Sequence, residues 1–361
     1  MYIYIVLCIL LFMGYRILPH SGSNKSKNYQ FAVFAVVSFT LLIGLRAESV
    51  GSDTEQYAER YRLTLERIAY GWENTEMGFD YIQYFFKEIL GFGYNGFLFF
   101  IALFSMCTLG YMIHRFSLDE LTSYILFIML LLSMYMSGIR QITACSLCLW
   151  ALIMLEKGKY KYIKFLALVG CAYLIHNSAL IFLPVLLLRK VRITRAQGGI
   201  IFLVSVLSIL FLVSFTPIIQ YLAPIRYEEF ALNLDYKINP LVIIVQASMV
   251  AFALLFLPTT RNEKGKFVFD HNDSLFLIFA CIQVFFVILS ISNNQLGRLG
   301  FYYSIGFLVS VPNALVKTNG VSSESKETIQ LIIQVLCLAY FFMSLNGNVM
   351  QIDEYKFFWE R

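Results

Sequence analysis

Six ionisable residues stand in or beside apolar runs of this chain: Arg46, Asp53, Arg140, His176, Arg226 and Arg298. Arginine offers a planar fork that makes two parallel charge-assisted hydrogen bonds and never loses its proton, which suits a phosphate or pyrophosphate. A carboxylate or an imidazole can take a proton from a hydroxyl near neutral pH. Each residue also has a plainer reading. An arginine at a helix end often snorkels to headgroups, His176 could bond a backbone carbonyl, and Arg46 with Asp53 could form an ion pair that anchors a loop. What favours chemistry for the set is where the chain must place it.

The placement follows from composition. With 59% apolar residues and 14% charged, the chain is an integral membrane protein, since soluble domains carry about 25% charge. Cutting at charged and turn-rich segments gives about twelve spans: 2 to 18, 30 to 46, 94 to 113, 121 to 137, 139 to 155, 162 to 176, 178 to 189, 198 to 215, 240 to 258, 274 to 291, 299 to 316 and 328 to 345. The expected fold is therefore all-α, one polytopic helix bundle over residues 1–361. The first run lacks a basic n-region and a small-residue cleavage site, so it is expected to stay as a span. All seven cysteines lie in apolar runs, where a thiol packs as a small hydrophobe. Cys145 and Cys148 form a CxxC without a second pair and read as packing.

Two cuts rest on length. The run from Leu121 to Leu155 holds one charge, Arg140, and as a single helix of about 35 residues would be about 50 Å long against a hydrocarbon core of about 30 Å. A turn at Ser137-Gly138 makes two spans and moves Arg140 to a membrane face. Basic clusters flank the segment from Lys161 to Arg189, so positive-inside logic sends it out and back with a turn at His176-Asn177-Ser178, although a single tilted span is an alternative.

The basic segments then face the cytoplasm, and the long loop from Glu48 to Gly93, with nine acidic and four basic residues, faces outward together with 216–239. All six residues named at the outset meet at the extracytoplasmic boundary. The net charge of +5 reflects this asymmetry and needs no nucleic acid. In the loop, Asp53 with Thr54 reads as a helix N-cap, Tyr57, Tyr61 and Leu65 share one helical face, and Phe79, Ile82, Phe85 and Phe86 make an amphipathic helix suited to the interface. Aromatic and polar loop residues beside arginines are what a sugar on a lipid pyrophosphate requires.

The stretches "GLRAESVGSDTEQY" (44–57), "EMGFDYI" (76–82), "IRQITACSLCLWAL" (139–152), "YLIHNSALIFLPV" (173–185) and "GRLGFYYSIGFLVSVP" (297–312) occur in an order that resembles the EpsG/Wzy-type polysaccharide polymerases of bacterial envelopes. The resemblance implies a glycosyltransferase at the outer face of the cytoplasmic membrane. A growing glycan would move from undecaprenyl pyrophosphate to an incoming lipid-linked repeat unit, with membrane lipids around the protein and a chain-length-regulating copolymerase as partner. Combined with the residues, it assigns Arg140, Arg298 and Arg46 to the donor pyrophosphate, His176 or Asp53 to the base, and Tyr57, Gln141, Asn177 and Arg226 to binding. His176 is slightly favoured because imidazole titrates near working pH. No His, Cys or acidic set has metal-ligand spacing, so a metal-independent reaction without cofactor is expected. The competing readings are a glycan ligase, a membrane acyltransferase acting on sugars, and a flippase. A flippase should carry midplane charges and repeated halves, and no repeat is visible here.

Overall fold

In lipid, a backbone can satisfy its N–H and C=O groups only internally, and the chain's apolar runs accordingly become helices. The computed structural model describes residues 2–18, 28–70, 76–156, 158–222, 240–263, 265–291, 294–347 and 350–360, with backbone alone at 211–222 and 294. The chain forms two compact units, Met1–Leu186 with Gln330–Arg361 and Leu187–Ile329.

In the first unit, α1 (Tyr2–Ile17) and α2 (Tyr29–Gly44) precede the loop, whose helices are α3 (Thr54–Arg62), α4 (Thr64–Tyr70) and α5 (Met77–Tyr84). A π-helical turn, Phe85–Ile89, extends α5, and α6 (Tyr94–Phe116) follows. Then come α7 (Glu120–Leu130), α8 (Leu132–Ser137), α9 (Ile139–Met154) and α10 (Lys161–Ile175). The expected turn at Gly138 is present, and the preceding run is further broken at Leu131. Side-chain caps start helices where the sequence supplies them: Asn28 Oδ1 accepts from the Phe31 N–H at 3.1 Å and Asp119 Oδ1 from the Thr122 N–H at 3.2 Å.

After α10 the chain leaves helical geometry at His176 and makes a 3-10 turn, Asn177–Phe182, followed by the one-turn helix α11 (Val185–Leu188). The return arm expected over 178–189 is thus a short broken segment, well under the length a continuous span needs.

The second unit contains α12 (Arg195–Leu222), α13 (Pro240–Phe256), the hairpin β1 (Thr260–Arg261) with β2 (Phe267–Val268), and α14 (His271–Leu289). It continues through α15 (Asn294–Gly300), a 3-10 turn at Phe301–Tyr303 and α16 (Ile305–Lys317). Helix α12 outruns its expected end at 215, and most of the expected outer loop 216–239 lies outside the described residues. The last helix, α17 (Ser323–Leu345), enters the first unit from Gln330, where Gln334 Nε2 donates to Thr122 Oγ1 at 2.8 Å.

Among the described residues, three helices, α6, α14 and α17, are each long and apolar enough to cross a membrane, and the pair Gln295–Tyr303 and Ile305–Lys317, bent by 49°, adds a fourth. Several of the other expected spans correspond to shorter apolar helices, so the all-α membrane class holds while a count of twelve is not established.

Candidate functional site

The loop after α2 is held in three ways. Gly51, at φ +98°, lies so close to α8 that a Cβ there would stand 2.2 Å from the Met136 carbonyl oxygen. Thr54 Oγ1 donates to that same oxygen at 3.1 Å, and the Asp53 N–H donates to Ser137 Oγ at 3.1 Å. The C-terminal segment pairs with the loop's first residues: the Ala47 N–H donates to Lys356 O, the Gly51 N–H to Gln351 O and the Phe358 N–H to Leu45 O, each at 2.9 Å.

Aromatic burial fixes the rest of the loop. Tyr61 stacks on Phe97 of α6 at 5.1 Å, and Phe86 meets Phe97 and Phe100 at 5.5 and 4.6 Å. Tyr57, Tyr61, Phe79 and Phe86 are buried as the apolar faces require, whereas Leu65 and Phe85 are exposed, because α3 ends at Arg62 and the π turn rotates the face that follows. Gly78 lets α5 touch α10, where a Cβ would stand 2.7 Å from the Leu174 carbonyl oxygen.

That contact delivers Glu76, at the start of α5, to a group gathered from three parts of the chain. Arg140 donates Nη1–H to Glu76 Oε2, and its Nε–H to the Tyr57 hydroxyl at 3.3 Å. Its guanidinium also lies over the Tyr57 ring, 5.3 Å from the centroid. His176 Nδ1 and Glu76 Oε1 are 2.6 Å apart, and the Asn177 main-chain N–H donates to the same oxygen at 3.1 Å. An ionised carboxylate only accepts, so Nδ1 carries the proton and Nε2 of a neutral ring keeps its lone pair. Burial resists ionisation of Glu76, but the hydrogen bond and charge of His176, the Arg140 charge and the Asn177 amide outweigh it, and its carboxyl titrates below the ordinary value.

One turn along α5, buried Asp80 receives Arg60 Nε–H at 2.7 Å and Arg67 Nε–H at 3.4 Å, and Arg60 covers the Phe79 ring. Three guanidinium groups thus serve two carboxylates, leaving a cationic surplus. Among the described residues, no three His, Cys, Asp or Glu side chains gather at one point, so guanidinium, imidazole, carboxylate and phenol are what the site offers a ligand.

Of the residues expected from the sequence, the structure brings together Arg140, His176, Tyr57 and Asn177, the last through its main chain. Gln141 is buried on α9. Asp53 occupies the N-cap position of α3, yet its side chain makes no cap bond and instead accepts from Ser52 Oγ at 3.0 Å. Arg46 is fully buried, its Nε and Nη1 donating to the carbonyls of Val50 and Ile43, and it pairs with no carboxylate among the described residues. Its fork is therefore enclosed, and among the described residues the alternative ion pair with Asp53 is absent. Arg298 stands in the second unit, half-buried on α15, and Arg226 lies outside the described residues.

Sequence reasoning missed Glu76, Arg60, Arg67 and Asp80. Glu76 was one acid among nine in its loop; the signal that could have found it was Gly78 two residues on, a position able to bring a loop helix against a span.

Residues 28–357 match the model of the EpsG family. No curated protein and no solved structure matches the chain.

Proposed function

The chain belongs to the EpsG family, whose role is of the polysaccharide-polymerase type, and on that premise we propose that it polymerises oligosaccharide repeat units carried on undecaprenyl pyrophosphate at the outer face of the bacterial cytoplasmic membrane. The observation that carries this reading is the Glu76 carboxylate shared between His176 and Arg140.

The reaction is a displacement at a sugar's anomeric carbon. The non-reducing-end hydroxyl of the incoming unit forms a new C–O bond as the bond from that carbon to the donor's pyrophosphate breaks. His176, oriented by Glu76, takes the hydroxyl proton on Nε2, which favours His176 over Asp53 as the base. The departing lipid pyrophosphate gathers negative charge, and Arg140 meets it with Nη2, the terminal nitrogen that neither Glu76 nor Tyr57 engages. Arg60 and Arg67 add to the positive field. Tyr57 holds Arg140 in place through its hydroxyl and its ring face. No metal is required in this scheme, because arginine supplies the charge.

Lipid-linked repeat units presented to the protein in nanodiscs test the reading. A ladder of longer glycans on the same lipid supports it. Transfer to a different acceptor indicates a ligase, and movement across vesicles without transfer indicates a flippase. Arg140→Lys keeps the charge but loses the fork and the broad overlap with Tyr57, so the polymerisation rate should drop about tenfold or more while expression persists. Full-rate polymer from Arg140→Ala would remove the residue from the reaction.

A further inference from the structure

Arg46 and Ser105 are two buried polar residues that the proposed reaction does not use, and they line the same cavity. It lies in the first unit where α2, α6, α8 and α9 meet, is otherwise lined mainly by aliphatic side chains such as Ile43, Ile101, Ile139 and Ile142, and has room for about one water-sized body. Arg46 is 0% exposed, and with Nε and Nη1 occupied by main-chain carbonyls its Nη2 has no partner among the described residues. The Ser105 hydroxyl is likewise buried and unpartnered.

The serine differs from the other hydroxyls of its two helices. Thr108, Thr143 and Ser146, on the same two helices α6 and α9, satisfy their hydroxyls on the carbonyl four residues earlier, at 2.8, 2.7 and 2.8 Å. Ser105 forgoes that bond. The guanidinium keeps its charge at any physiological pH, and its two bonded acceptors are neutral. The guanidinium has the phenols of Tyr4, Tyr94 and Tyr355 for neighbours and no carboxylate among the described residues, and a buried fixed cation without a counter-charge is strongly unfavourable. A water molecule would satisfy Nη2 and the hydroxyl but leave the charge. A small anion answers both.

We propose that Arg46 and Ser105 form an internal site for a monatomic anion of the chloride class. The ion neutralises the guanidinium where the loop leaves α2, and so stabilises the turn from which α3 carries Tyr57 to Arg140. It is a structural ion, and this inference stands whether or not the chain is a polymerase.

Thermal unfolding of the purified full-length protein in detergent, followed by intrinsic fluorescence, tests it. The probes are chloride, bromide and gluconate at equal ionic strength. Tm should rise with chloride and saturate, as ligand linkage to the folded state requires, with bromide replacing chloride and gluconate inactive. Ser105→Ala should raise the half-saturating chloride concentration about tenfold by removing one hydrogen bond to the ion, and Arg46→Gln should abolish the dependence. If Arg46→Gln does not fold, Ser105→Ala alone decides. Equal Tm in all three salts, or a chloride dependence unchanged in Ser105→Ala, overturns the site.

Discussion

A carboxylate that serves a guanidinium, an imidazole and a main-chain amide couples the three, so its removal disturbs more than one bond. Glu76→Gln keeps the shape but removes the charge that opposes Arg140 and the strong acceptor that orients His176. Glycosyl transfer should fall about a hundredfold, read as polymer formed per unit of folded protein. The variant also isolates a pH effect. Because the Glu76 carboxyl is depressed in the folded protein, its contribution to stability is fully present above its ordinary unfolded value and is lost as pH falls through the lower folded one. The Tm gap between wild type and Glu76→Gln should therefore be open at neutral pH and close as pH falls below the ordinary carboxylate range. A gap that stays open throughout acid titration would show that Glu76 acts by shape alone.

At the scale of elements, the site depends on a loop helix lying against a bundle helix. Gly78 makes this contact, and the atom a side chain would strike is the Leu174 main-chain oxygen, which cannot swing aside. Gly78→Val should therefore lift α5 from α10, draw Glu76 away from His176 and cost about 1–3 kcal/mol, with transfer lost before folding is. Gly170→Ala is the control on the same helix α10, since a Cβ there meets nothing within 4 Å. Equal activity in the two variants would show that the α5–α10 contact does not position the carboxylate. The C-terminal segment acts on the other flank: its pairing with 45–52 turns the chain's last described residues into a support for the loop that bears Tyr57.

For the whole molecule, charge asymmetry sets the expected orientation. In a background with the native cysteines replaced, Glu59→Cys in the acidic loop should react with a membrane-impermeant maleimide from outside the cell, and Lys159→Cys in the basic segment only after lysis. The reverse pattern would move the Glu76 group to the cytoplasmic side and remove the substrate proposed for it. Residues 48–93 are acidic and 157–164 basic as plain sequence, and Ser137-Gly138 interrupts a run too long for one span, so membrane class, helix positions and the placement of Arg140 at a helix start were legible. These features are local, set by hydropathy and turn chemistry within a few residues. His176 and Tyr57 were legible as types. Their common partner was not, because Glu76 meets Arg140 and His176 across 64 and 100 residues of chain, and no local pattern specifies which of nine loop acids makes that crossing. Nor could the sequence separate Arg46, fully enclosed, from Arg140, a quarter exposed beside Tyr57. Both are arginines at an end of an apolar run, and burial belongs to the packed structure alone.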